Sequence, residues 1–244
     1  MPSALPRLAL VAAVLTVAVA CQDAGAGKPT TKAPEPGAST QPAVARDMLR
    51  HDEIAEKSRA ALISGDLEAF RLGMEIAAVQ PLPGALAEHA STFVARARVG
   101  AEAKDLGAAA AALGQVGAAC GTCHLARPGE RYPASGFEEG DDSLLDRMQR
   151  HWWATDALWQ GLVTPNDTAW TTGATTLADR SLTRVSGFPD TPEAKARAEA
   201  LQAAARTAMQ ATTPDTRGEA FGAIVATCAD CHTALGRGPV VSEP

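Results

Sequence analysis

The chain has 244 residues and a formal net charge of -6. It is rich in alanine, only 4% aromatic and poor in β-branched residues, which favours helices over a β-sandwich or barrel. The 46% apolar content excludes wholesale disorder, and the acidic balance disfavours nucleic acid as a main partner, because phosphate binding needs a basic footprint.

The N-terminal segment reads as an export signal over residues 1–20. Arg7 precedes an apolar run from Leu8 to Ala20 that is too short to span a bilayer as a helix and ends in small residues. The stretch Ala18-Val19-Ala20-Cys21 resembles a bacterial lipobox, with Ala18 where Leu is usual. It makes Cys21 the expected lipidation site, with plain secretion as the alternative. Of five cysteines, Cys21 is the one that the motifs below leave over. Residues 21–41 hold mostly Gly, Pro, Thr and Ala, cannot bury a core, and read as a flexible tether to a lipid anchor.

The remainder is one pattern written twice. Residues 45–63 align without gaps on 145–163 at an offset of 100, matching Met48 with Met148, Arg50 with Arg150, His51 with His151 and Leu62 with Leu162. Each half ends in the same form, CGTCH at 120–124 and CADCH at 228–232. The offset there is 108, so the second half has gained residues, expected between 181 and 195. Periodicity and turn residues predict helices over 43–63, 66–79, 85–103 and 105–125, then 143–162, 166–181, 192–211 and 216–235, with Thr191 and Asp215 as N-caps. Short connections favour antiparallel bundles. The expected architecture is therefore all-α: two tandem four-helix bundles over 42–126 and 143–236, a linker over 127–142 and a tail over 237–244.

The two C-x-x-C-H motifs carry the chemistry. Cys120, Cys123 and His124 fall on one helical face, as do Cys228, Cys231 and His232. This is the attachment signature of c-type haem: two thiols form thioethers with the vinyl groups and the adjacent imidazole becomes the proximal iron ligand. Two copies in a duplicated chain with an export signal imply two haem c groups. One zinc held by all four thiols, paired disulfides and a redox dithiol are the competing readings.

Both motifs lie in the last helix of a predicted four-helix unit. The arrangement resembles the cytochrome c-prime class, four-helix-bundle cytochromes with haem attached near the C-terminal end, here as a tandem pair. Members of that class are often dimeric, which admits a homodimer. The resemblance also implies that the first helix presents a residue over the distal haem face. In that helix Met48, His51, Ala55, Ser58 and Leu62 form the inward stripe, with Asp52, Glu53, Glu56, Lys57 and Arg59 off it. The candidate distal ligands are His51 and His151, alternatively Met48 and Met148; an open site is the third option. Ligand choice matters, since haem potential spans about 0.8 V with axial identity.

Arg50 and Arg150 are read as solvated helix-face residues, with propionate pairing as the alternative. Trp152, Trp153, Trp159 and Trp170, all in the second half, are expected to wall the second pocket or the contact between bundles. His89 receives no role. The resulting expectation is a dihaem electron carrier outside the cytoplasm, in the periplasm, membrane-anchored if Cys21 is acylated, with redox proteins of a respiratory or periplasmic chain as partners. A gas-binding or sensing haem protein and a dihaem peroxidase are the alternatives.

Overall fold

A computed structural model describes residues 41–80, 82, 86–127, 136, 140, 142–179 and 181–236. The signal segment, Cys21, most of the tether, nearly all of the 127–142 linker and the 237–244 tail lie outside the described residues. All regular structure described is helical: α1 (Gln41–Ile63), α2 (Leu67–Val79), α3 (Ala87–Ala101), α4 (Leu106–Ala126), α5 (Leu144–Val163), α6 (Asp167–Asp179), α7 (Pro192–Ala208) and α8 (Pro214–Leu235).

Local chemistry sets these boundaries. Asp66, Asp105, Ser143, Asn166 and Thr191 each accept the backbone N–H three residues on, capping α2, α4, α5, α6 and α7. At α8 the cap is Thr213, in a capping box with Thr216. Pro214 takes the first helical position, where its missing N–H costs nothing. The expected start at 216 with Asp215 as cap is thereby corrected: Asp215 lies in the first turn. Helices α6 and α7 also stop earlier than expected, and a 3-10 turn over Leu182–Arg184 occupies the segment expected to carry the extra residues.

Consecutive helices pack as neighbours within each half, α1 on α2 on α3 on α4 and α5 on α6 on α7 on α8, yet the most extensive helix–helix contact joins α4 to α8. That contact is backbone to backbone. A Cβ added at Gly218 would lie 2.5 Å from the Gly114 carbonyl oxygen, and one at Gly222 would lie 2.9 Å from that of Ala110. Only hydrogen at these positions lets the helices approach so closely. The pairing of 114 with 218 and of 110 with 222 makes the helices antiparallel. Under the repeat offset, Gly114 corresponds to Gly222 and Ala110 to Gly218, so the two contacts are copies of one another. Helix α1 also touches α8, and α5 touches α4. Thus α1, α4, α5 and α8 form a central quartet, flanked by α2/α3 and α6/α7. The helices from residue 41 onward belong to one compact unit, its core running through Leu62, Phe70, Met74, Leu113, Leu158, Trp159, Phe221 and Ile224. Helix α4 has the length and apolarity of a membrane span, but 56% of that stretch is buried in the fold, as expected of a core helix.

Candidate functional site

The antiparallel α4–α8 pair carries the motifs to opposite ends. Cys120 lies level with residue 212, just ahead of α8, and from there to Cys228 is sixteen residues, or about 24 Å along the axis at 1.5 Å per residue. Among the described residues no group of three or more His, Cys, Asp or Glu side chains is arranged to hold a metal ion. The four thiols therefore do not form a common zinc site. All four are free. Burial pushes the Cys120 and Cys228 thiols up to about 12, and also raises Cys123 and Cys231. A redox dithiol needs the opposite, a thiol pKa lowered by its surroundings.

The second motif opens onto an apolar cavity of about 420 Å³, within the range of small-molecule and cofactor sites. Cys228, Cys231 and His232 of α8 line it, and so do Met148, His151 and Trp152 of α5. The three motif residues and both candidate ligands of α5 are thus brought to one cavity. Leu182, Phe188 and Pro189, from the inserted α6–α7 connection, supply another wall, with Arg197 and Leu201 of α7 and Ile63 of α1.

Two polar details are informative. The Nδ1 of His232 donates to the Ile63 carbonyl at 2.9 Å, which fixes the ring orientation and leaves Nε2 with its lone pair available. A ligating histidine is characteristically held in this way, its other N–H on a backbone carbonyl. His151 presents a buried Nε2 with no hydrogen-bond partner. Burial lowers its pKa to about 4, assisted by the charges of Arg147 and Arg150 and by that of His232 when it is protonated, so the imidazole is neutral and able to coordinate. The donor set, the apolar wall and the cavity size fit a haem. Met148 shares the cavity, so both distal candidates on α5 are in place.

At the first motif, α1 brings Asp52, adjacent to His51, within electrostatic reach of His124 and Cys120. Burial lowers the pKa of His124, and Asp52 partly restores it. The His51 ring meets Phe93 of α3 edge-on, with centroids 5.3 Å apart, and Met48 is half-buried one turn earlier. Arg96 holds α3 to α4 through the Gln115 carbonyl at 2.8 Å, and Arg127, just past the motif, pairs with Glu88 at 2.9 Å.

Three sequence readings need correction. Arg59 is not on a solvated face: it is fully buried between the halves, its Nη2 on Glu56 and Asp156, with its guanidinium 5.2 Å from the centroid of the Trp152 ring. Arg150 is likewise buried and pairs with Asp146, whereas Arg50 is exposed as expected. Of the tryptophans, Trp152 walls the cavity and Trp159 packs on Gly117 and Phe221 between the halves. Trp170, however, sits inside the second half, donating to the Ala208 carbonyl at 2.8 Å. Sequence reasoning missed Ile63, whose contribution is a backbone carbonyl, and the wall from the α6–α7 connection. The only signal for that wall was the insertion itself. Comparison with protein-family models, curated proteins and solved structures returns no match.

Proposed function

We propose that the chain is a dihaem c-type cytochrome that carries electrons outside the cytoplasm, built from two fused four-helix units of the cytochrome c-prime kind. The observation that carries this reading is the second cavity. Its wall holds a Cys-x-x-Cys-His motif whose histidine is oriented by a backbone carbonyl, and a second, neutral histidine with an unpartnered nitrogen. Haem supplies an iron that changes oxidation state. The chain supplies the rest. Cys120 and Cys123, with Cys228 and Cys231, would hold the macrocycles through thioethers, and His124 and His232 would ligate the iron. His51 and His151, or Met48 and Met148, would offer a second iron ligand, and the apolar wall of the second cavity would limit water there. On this reading the N-terminal segment directs export and Cys21 provides a lipid anchor. The partners are redox proteins that dock transiently.

The test is expression of the full chain in a host that attaches haem after export. The mature protein is expected to carry the mass of two macrocycles, a c-type pyridine haemochrome spectrum, and low-spin spectra that carbon monoxide leaves unchanged. Colourless protein without added mass refutes the haem assignment. Prompt carbon monoxide binding with both haems attached refutes the carrier role in favour of a gas-binding one.

A further inference from the structure

The two halves differ where the first helix of each gives way to the second. Helix α1 runs into Ser64-Gly65-Asp66 and α5 into Thr164-Pro165-Asn166, at the repeat offset of 100. Gly65 has a φ of 84°, and its turn closes as a Schellman motif. The Asp66 N–H donates to the Ala61 carbonyl at 2.8 Å, and the Gly65 N–H to the Leu62 carbonyl at 3.0 Å. Pro165 can supply neither the left-handed backbone nor the inner bond, because its ring fixes φ at about −65° and it carries no N–H. The bond made there is the outer one, from the Asn166 N–H to the Gly161 carbonyl at 3.2 Å.

The Gly65 turn meets the second motif. A Cβ on Gly65 would lie 2.5 Å from the Oγ1 of Thr233, the residue after His232, so a glycine is what lets the end of α8 come this close. The turn leaves the Ile63 carbonyl without a backbone partner, and the Nδ1–H of His232 donates to it at 2.9 Å. That bond crosses from one half to the other. At the equivalent positions around the first motif stand Val163, Pro165 and Leu125. A proline ring and a branched apolar chain thus replace a hydrogen atom and a short hydroxyl-bearing chain. Among the described residues the His124 ring has no counterpart of the carbonyl bond; Asp52 reaches it electrostatically but forms no hydrogen bond with it.

We infer, on the basis of the haem assignment above, that Gly65 and the Ile63 carbonyl are positioning groups supplied by the first half to the second site, and that they make this site harder to reduce than the first. An imidazole whose Nδ1–H is held by a carbonyl is the more basic ligand, and a more basic ligand favours the more positive, oxidised iron. Both motifs offer the same candidate ligands at equivalent positions, so ligand type supplies no asymmetry and the turn does. Electrons entering the chain therefore come to rest at the first motif.

The experiment is a spectropotentiometric titration of the full chain with both macrocycles attached, beside Gly65→Pro and Gly65→Ala, with exchange of the histidine ring protons followed by NMR in the oxidised form. The native chain is expected to give two one-electron waves. The Nδ1–H of one motif histidine should exchange about tenfold more slowly than that of the other, as one additional hydrogen bond requires. Gly65→Pro installs the residue of the α5 turn. It raises the lower wave by about tenfold in its one-electron equilibrium constant, equivalent to about 59 mV, leaves the upper wave in place and removes the slow proton. Gly65→Ala keeps the N–H but is strained at positive φ, and shifts the lower wave the same way by a smaller factor. A single native wave, or equal exchange of the two ring protons, overturns this inference alone. So does Gly65→Pro moving only the upper wave, or losing stability while both waves and the slow proton stay in place. Where Gly65→Pro does not fold, Gly65→Ala decides, and an unmoved lower wave overturns the inference. Protein lacking the macrocycles overturns the haem assignment and this inference with it.

Discussion

Replacing Gly218 with alanine tests whether the close α4–α8 contact unites the two halves. The new Cβ would lie 2.5 Å from the Gly114 carbonyl oxygen and 3.0 Å from the Ala118 Cβ, where a relaxed carbon–oxygen contact is about 3.3 Å or more. The helices must part by on the order of 0.8 Å over buried surface. Overpacking of this kind costs about 1–3 kcal/mol, against which alanine gains roughly 1 kcal/mol of helix propensity over glycine. For so short a contact the upper half of that cost applies, so the net expectation is a loss of about 1–2 kcal/mol, or roughly 2–8 °C in Tm at this chain length. Gly222→Ala, at 2.9 Å from the Ala110 carbonyl oxygen, needs about half that displacement and should come out near neutral. Gly107→Ala is the control: its Cβ meets only the flexible end of Asp105, at 3.3 Å, so propensity should dominate and stability should hold or rise. Urea melts of the haem-loaded protein, followed by circular dichroism, provide the ranking. If Gly218→Ala proves as stable as the native chain, or Gly107→Ala falls as far, the contact does not hold the halves together.

Two further predictions concern buried charge. Arg217 donates to the Gly161 carbonyl at 3.0 Å and to Asp167, with its guanidinium over the Trp170 ring at 5.3 Å. Arg217→Met removes its buried donations to the Gly161 and Ala211 carbonyls, the first of which keeps only the Asn166 N–H at 3.2 Å, and should cost about 1–3 kcal/mol in a denaturant melt; a loss within about 0.5 kcal/mol, roughly that of a surface change, would contradict it. Burial raises the Glu56 carboxyl pKa, even though Arg59 draws it down. A carboxyl whose folded pKa exceeds its unfolded value contributes stability that is full below the unfolded value and lost as pH rises through the folded one. Glu56→Gln, measured against the native chain, should therefore gain relative stability from pH 4 to pH 7, and a pH-independent difference would refute the assignment.

Helix positions were legible because their ends are written in local chemistry: Asp66 and Asp105 stand where α2 and α4 begin, Thr191 caps α7 as expected, and α8 starts two residues before the expected position, with Thr213 as its cap. In the second half the motif residues and their candidate partners Met148 and His151 on α5 were legible as neighbours, since helical spacing fixes a shared face. What the sequence withheld was the second neighbour of each helix. A single inward stripe was drawn for α1, but α1 belongs to a central quartet and is covered on two sides, so Arg59, outside the stripe, is buried. Arg150 was misjudged for the same reason. The role of Ile63 has no side-chain signature, because its carbonyl is what meets His232.

The repeat also separates what geometry requires from what chemistry can vary. Where α4 and α8 touch, equivalent positions carry Gly114 with Gly222 and Ala110 with Gly218, because any larger side chain would push the backbones apart. Beside the motifs no such constraint operates: position 52 is Asp where 152 is Trp, and position 59 is Arg where 159 is Trp. Exchanges of that size are tolerable only if the surrounding helices define the space and the side chain merely fills it. Arg59 fills its space by lying over the Trp152 ring and by pairing with Glu56 and Asp156, which occupy equivalent places in the two halves. The double variant Arg59→Met, Asp156→Asn, which removes the cation and one partner together, should therefore remain folded, while Arg59→Met alone leaves the partly exposed Glu56 and Asp156 carboxylates without their shared cation and is the less stable.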